Sequence, residues 1–243
     1  MSGHSHAANI AAKKAKTDAA KGKIFTKVGR EIAVAAKSNP DPSTNSKLAD
    51  AIAKAKAVNM PNENIKRCIA KASGELSSAN YEELTYEGYG PAGSAVIIKT
   101  LTDNKNRTVD FVRTTMRKHG GSLGNAGCVS FTFNTLGVIV IERTADLDED
   151  TVMEYALEAG ADDFISEDDA FIVHTSVANF SSVRKYLEEK SLNFFEAQID
   201  MLPQNKITLS GDELVKFNKL IDALEDLDDV QNVYHNVELD EEE

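Results

Sequence analysis

Three cations recur at helical spacing near the start of this chain: Lys23, Lys27 and Arg30, at i, i+4 and i+7. Residues so spaced stack on one helix face. Here that face lies opposite an apolar stripe of Ile24, Val28, Ile32 and Ala35. Lys13, Lys14, Lys16 and Lys21 crowd the same stretch, and Lys54, Lys66 and Arg67 follow. Ammonium groups gathered in this way contact phosphates as point charges and carry little sequence code. A second cluster comprises Lys105, Arg107, Arg113, Arg117 and Lys118. It follows the polar loop Thr102-Asp103-Asn104-Lys105-Asn106, where a helix N-terminus offers a docking place for phosphate. The plainer reading of both clusters is a solvated, mixed-charge surface. In the first cluster too few acids intersperse to neutralise the lysines.

Other chemistries fail on context. Gly88-Tyr89-Gly90-Pro91-Ala92-Gly93 fits a dinucleotide pattern, but that pattern needs a strand before it and a helix after it. Gly120-Gly121-Ser122-Leu123-Gly124 fits a nucleophile elbow, yet it follows a predicted helix and precedes a strand, the reverse of what an elbow requires. It reads as a helix-stop turn. The carboxylates lie in runs with no matched pair. If Met1 is removed, the free amine of Ser2-Gly3-His4 could take Cu(II) or Ni(II) in square-planar geometry; a terminus does this opportunistically, so no metal and no cofactor are assigned. His119, His174 and His235 are dispersed. Cys68 and Cys128 stand far apart without a C-x-x-C pair, as expected of a reducing cytoplasm.

Net charge separates along the chain. Residues 1–74 carry 14 Lys/Arg and 5 Asp/Glu, a net of +9. Residues 75–136 are neutral, with 6 of each sign. Residues 137–204 hold 4 basic and 16 acidic residues, and residues 205–243 hold 3 and 12. A cationic module is thus tethered to an anionic body, and a polyanion should meet one end only. No apolar run is long enough for a transmembrane span, and no apolar signal segment opens the chain. No membrane partner is expected.

The elements that must hold these side chains follow from periodicity. Residues 7–72 read as three short helices: the stripe above, a second of Leu48, Ala51, Ile52, Ala55 and Val58, and a third from Pro61 carrying Ile65, Cys68, Ile69 and Ala72. Residues 75–94 read as a linker. Strands and helices then alternate. Ser94–Leu101 is a predicted strand, 106–119 a helix with Val109, Val112 and Met116 toward the core, and Cys128–Phe133 a strand. Residues 137–201 read βαββαβ, a ferredoxin-like unit. The flanking segments, with strand Lys206–Leu209, helix Gly211–Leu227 and strand Val230–Leu239, would complete a second such unit into which the first is inserted; consecutive domains are the alternative arrangement. The expected fold is therefore α+β and multidomain: a basic bundle at 1–78, a discontinuous α/β domain at 79–136 and 205–243, and an acidic βαββαβ domain at 137–204. The tail Asp240-Glu241-Glu242-Glu243 reads as solubilising.

Several segments resemble the YebC/PmpR family. They are Gly3-His4-Ser5, Gly22-Lys23-Ile24-Phe25-Thr26-Lys27, Asn59-Met60-Pro61, Tyr86-Glu87-Gly88-Tyr89-Gly90-Pro91, Leu101-Thr102-Asp103-Asn104, Lys118-His119-Gly120-Gly121, Gly127-Cys128-Val129-Ser130 and Leu224–Tyr234. The resemblance implies a helical bundle followed by two α/β domains, no enzyme activity and no cofactor. It also implies nucleic-acid work, either as a DNA-binding transcriptional regulator or as a ribosome-associated factor that relieves stalling at consecutive prolines. One departure stands at the start: His6-Ala7 replaces the family's common Lys-Trp, which removes an aromatic that could stack on a base. Residues able to read base edges in the bundle are few, namely Arg30, Asn62, Asn64 and Arg67, and lysine suits phosphate better than bases. Partners are therefore DNA or ribosomal RNA, with sheet edges leaving room for weak self-association.

Overall fold

The computed structural model describes residues 21–73 and 80–238. The chain divides into two compact units, Met1–Ala70 with Thr135–Asp200 and Lys71–Asn134 with Met201–Glu243.

Among the described residues, the first unit opens with three helices: α1 (Lys21–Ser38), α2 (Ser46–Ala57) and α3 (Asn62–Ser73). Each buries one narrow stripe of small and aliphatic residues. Val28, Ile32 and Ala36 come from α1, Leu48, Ala51 and Ala55 from α2, and Ile65 and Ala72 from α3. The stripe on α1 ends at Ala36, one residue past the expected Ala35. Asn45 fixes the turn between α1 and α2. Its Oδ1 accepts the Leu48 N–H at 3.1 Å and caps α2, while its Nδ2 donates to the carbonyl of Ala35 at 2.8 Å. Such a cap is worth about 1 kcal/mol.

The rest of this unit is built on βαββαβ order. The elements are β4 (Phe133–Glu142), α5 (Glu149–Ala159), β5 (Asp163–Ser166), β6 (Ala170–Thr175), α6 (Phe180–Glu189) and β7 (Phe194–Pro203). The sheet runs β5-β6-β4-β7, the ferredoxin-like arrangement. One face of it, with Ile139, Ile141, Phe171 and Val173, packs under Val152 and Ala156 of α5 and Val183 and Leu187 of α6. α5 starts at an Asp148 cap and carries Glu149 and Asp150 in its first turn, where the helix dipole favours negative charge.

The second unit holds a four-stranded sheet made, in spatial order, of β3 (Ser122–Leu123), β1 (Glu82–Tyr89), β2 (Ala95–Thr102) and β9 (Val230–His235). Two helices, α4 (Lys105–Lys118) and α7 (Gly211–Glu225), seal one face with Val112, Met116, Phe217, Leu220 and Leu224 against Val96, Ile98 and Val233. Three expectations fail here. The region read as a linker contains β1, paired antiparallel with β2 from Glu82↔Thr102 to Tyr89↔Ala95. Residues 128–132 are not a strand but a loop with a single helical turn at Ser130–Thr132, and extended backbone begins at Phe133. Strand β8 (Ile207–Thr208) stays out of the sheet and pairs in parallel with β10 (Val237–Glu238). The dinucleotide-like glycines lie in the β1–β2 hairpin, closed by Gly90 N–H to Ser94 O at 2.8 Å. The elbow-like glycines end α4. Gly120 takes φ 79°, and Gly121 N–H returns to the Met116 carbonyl at 2.8 Å, a glycine-dependent C-terminal cap.

Candidate nucleic-acid interface

Helix α1 carries the first cluster as one stripe. At about 100° per residue, Lys23, Lys27, Arg30 and Lys37 fall together on the side away from buried Val28, Ile32 and Ala36. Lys21, Lys23 and Lys37 are exposed; Lys27 and Arg30 are half-buried, where full exposure was expected. On the neighbouring helices Lys66, Arg67 and Lys71 are exposed, with Lys66 3.4 Å from Glu63. Lys54 turns inward to Glu31 of α1 at 2.8 Å, so it braces two helices. Lys13, Lys14 and Lys16 lie outside the described residues, as do Ser2-Gly3-His4 and the acidic tail.

The second cluster behaves differently. Its loop is occupied by its own hydrogen bonds. Asn104 Oδ1 accepts the Arg107 N–H at 3.1 Å, and Thr102 Oγ1 accepts the Asn104 N–H at 2.9 Å. Two groups that could receive a phosphate there, the N–H of Asn104 and that of Arg107, are therefore already engaged. Beneath them sits Asp229, a buried carboxylate at the start of β9. It accepts from Thr108 Oγ1 at 2.8 Å, Thr102 Oγ1 at 3.2 Å and Arg107 Nη2 at 2.9 Å. Arg107 Nη2 also reaches Asp103 at 2.9 Å. Hydrogen bonds to Asp229 and Asp103 hold the Arg107 guanidinium in its charged form. Arg107 is thus a fastener first. Lys105 lies 3.4 Å from Glu82 and Arg113 3.2 Å from Asp110. Arg117 and Lys118, exposed in the last turn of α4, make no ion pair among the described residues. Thr108, Val112 and Met116 face the core; Val109, expected there, is half-exposed.

Sequence reasoning missed the part played by Glu87. This buried carboxylate on β1 accepts three backbone N–H groups, from Gly127, Val129 and Ser130, each at 2.9 Å. Burial alone would push its pKa up; the N–H bonds outweigh that and hold it below the usual value. Tyr89 Oη donates to the Cys128 carbonyl at 3.0 Å, fastening the same loop. The close pass of β3 explains Gly88, since a Cβ there would sit 2.3 Å from the Ser122 carbonyl oxygen. Two quoted segments, Tyr86–Pro91 and Gly127–Ser130, are thereby one device. Leu101–Asn104 and the Asp229 segment are another.

The first unit also has a cleft of about 400 Å³ beside α2, whose lining includes Lys54, Lys56, Arg184, Glu188 and Glu196. Its lining mixes three cations with two carboxylates, and Arg184 and Lys54 are already matched to acids, so it offers a polyanion little attraction. Arg184 is only 7% exposed and is paired with Asp50 at 3.0 Å and Glu188 at 2.9 Å. Among the described residues no group of three or more His, Cys, Asp or Glu is placed to hold a metal ion, and no helix is long and apolar enough to cross a membrane.

Two family models match the chain. The TACO1/YebC N-terminal domain matches residues 5–75, and the TACO1/YebC second and third domain matches residues 81–237. A protein of Hathewaya histolytica named "probable transcriptional regulatory protein ORF2U" is 56% identical over 99% of this chain and 98% of its own length. A "probable transcriptional regulatory protein" of Acetivibrio thermocellus is 58% identical over 97% of this chain and 98% of its own. Among solved structures, a conserved hypothetical protein from Aquifex aeolicus superposes with a TM-score of 0.81 at 42% identity, covering 94% of each chain.

Proposed function

This chain belongs to the TACO1/YebC family, and from that premise we propose that it is a non-enzymatic regulator of gene expression that binds nucleic acid through the cationic stripe of α1. One observation carries the reading: Lys23, Lys27, Arg30 and Lys37 share the helix side opposite the buried Val28, Ile32 and Ala36. Residues 21–73 hold 11 basic and 4 acidic residues, so that side faces a local excess of positive charge. Such a surface attracts phosphate over a Debye length of about 8–10 Å in ordinary salt. The name shared by the two relatives supports control of transcription as the outcome, and DNA is the target that such control would need.

A second reading, ribosomal RNA with a role in translation, draws on the same residues. Lysine outnumbers arginine 9 to 2 across residues 21–73. Lysine serves phosphate and shape recognition more than base reading. Two measurements separate the readings. Binding to a chosen promoter and to random duplex DNA over a salt series should show affinity falling with a log–log slope of about −4 or steeper. A flat response removes the phosphate-contact model altogether. Sucrose-gradient sedimentation of a low-salt lysate then decides the target: co-migration with ribosomes favours the RNA reading, and retention at the top of the gradient favours DNA.

A further inference from the structure

Helix α4 carries an exposed aromatic that neither the core nor the ion-pair network uses. Phe111 is 53% exposed. Relative to it, Arg107 stands at i−4, Thr114 at i+3 and Lys118 at i+7. At 100° per residue these four occupy a sector of roughly 60°, on the side away from Val112 and Met116. Phe111 and Lys118 are about 10 Å apart along the helix axis at 1.5 Å per residue. Lone surface hydrophobics are ordinary, so the surroundings decide the case. Phe131, the most exposed aromatic, sits in a neutral turn between Ser130 and Thr132, and Tyr89 has its hydroxyl committed to the Cys128 carbonyl. Only Phe111, among these three, is bracketed by cations and a hydroxyl.

Charge is graded along the same helix. At its start Asp103, Asp229 and Glu82 offset Arg107 and Lys105. At its end Arg117 and Lys118 have no acidic partner among the described residues. A strand lying along this sector meets a flat apolar ring in the middle and uncompensated positive charge beyond it. All the contacts of Arg107 to Thr102, Asp103 and Asp229 run through Nη2. Its position is therefore fixed by the fold, and its remaining edge carries none of them.

We propose that Phe111 is a stacking platform for an unpaired nucleobase, with Lys118 and Arg117 taking the neighbouring phosphates and Thr114 a sugar or phosphate oxygen. The ligand class is single-stranded nucleic acid, since a base inside a duplex offers no open face. Stacking on an aromatic side chain tolerates every base. This inference rests on the nucleic-acid reading above and narrows it.

The test uses the full chain and fluorescence anisotropy with three 12-mer probes: oligouridine RNA, oligothymidine DNA and a mixed-sequence DNA duplex. Phe111→Ala should weaken both single strands about tenfold, as expected from the loss of one stacked base, and leave the duplex within twofold. Phe111→Trp should restore or tighten single-strand binding, and Phe111→Leu should not. The ratio of the RNA to the DNA single strand says which backbone is preferred. Equal loss on single strands and duplex, no loss on any probe, or rescue by Leu as good as rescue by Trp overturns the platform. If the wild type binds no probe, the nucleic-acid reading itself falls. If charge reversal of Lys23, Lys27 and Arg30 abolishes duplex binding while Phe111→Ala changes nothing, that reading stands and only the platform is lost.

Discussion

Positive charge is used in opposite ways in the two basic regions. In the helices at residues 21–73, 11 cations face 4 acids, and Lys54 braces α1 and α2 through Glu31. Along α4 three of five cations, Lys105, Arg107 and Arg113, are matched to carboxylates within 3.4 Å. Net excess gives long-range attraction and a steep salt dependence. Local balance gives position: Arg107 ties the α4 N-terminus to the strand that begins beside Asp229. A lysine count treats the two clusters alike; along α4 the carboxylates beside Lys105, Arg107 and Arg113 show which cations hold the fold.

Removing Asp229 attacks the balanced region at its centre. Asp229→Ala leaves two hydroxyls and a guanidinium without their shared acceptor, and should cost about 3 kcal/mol of stability, read from the urea midpoint by circular dichroism. A loss below about 1 kcal/mol would mean that Arg107 is not a fastener and that the contrast with α1 is false. Charge reversal of Lys23, Lys27 and Arg30 probes the other side. Duplex affinity should fall at least a hundredfold in low salt, about 2.7 kcal/mol, and the salt slope should shrink by roughly three. The urea midpoint should hardly move, although the half-burial of Lys27 and Arg30 makes this the stricter part. Unfolding of the variant would show that the stripe serves structure.

How far the sequence reached depends on the range of the interaction. The α1 and α2 stripes and the βαββαβ order at 137–201 rest on spacings of a few residues, and periodicity exposes those. The family segments were visible as words, but their purpose was not. Asp229 meets Thr108 and Thr102 across 121 and 127 residues of chain, and Glu87 meets Val129 across 42; no local pattern announces either. Strand β1 was hidden by its acids and by Gly88 and Gly90-Pro91, which look like loop chemistry. Its signal was the alternation Leu84, Tyr86, Gly88, with Glu87 on the other face accepting three N–H groups. Phe111 stands alone between the charged Arg107 and Lys118 of its helix face, and no apolar period marks it out.

Glu87 sharpens the contrast through pH. Its folded-state pKa is depressed, so the stability it contributes is complete above the ordinary glutamate value, about 4.3, and is lost as pH falls through the lower folded value. Glu87→Gln keeps the shape, but one of the two oxygens that accept from Gly127, Val129 and Ser130 becomes an amide NH2 that cannot accept, so at least one of the three contacts is lost. It should cost about 1–2 kcal/mol near neutral pH and flatten the wild type's loss of stability below about pH 4. If the variant keeps the wild-type acid profile, Glu87 is not what holds the 127–130 loop.

The smallest expected effect is the finest discriminator. Arg113 and Asp110 form an exposed pair one turn apart, with side chains 53% and 73% accessible. Pairs of that kind contribute between nothing and about 0.5 kcal/mol. Arg113→Ala should therefore leave stability within that margin and nucleic-acid affinity within about twofold, because its charge is already offset by Asp110. Lys118→Ala, one helix face away and without an acidic partner among the described residues, should weaken single-strand binding several-fold and lower the salt slope by about 0.7. The two variants remove the same formal charge from the same helix. A measurable difference between them follows only if the neighbouring carboxylate decides what a cation can do. Equal effects would mean that α4, like α1, acts through its total charge.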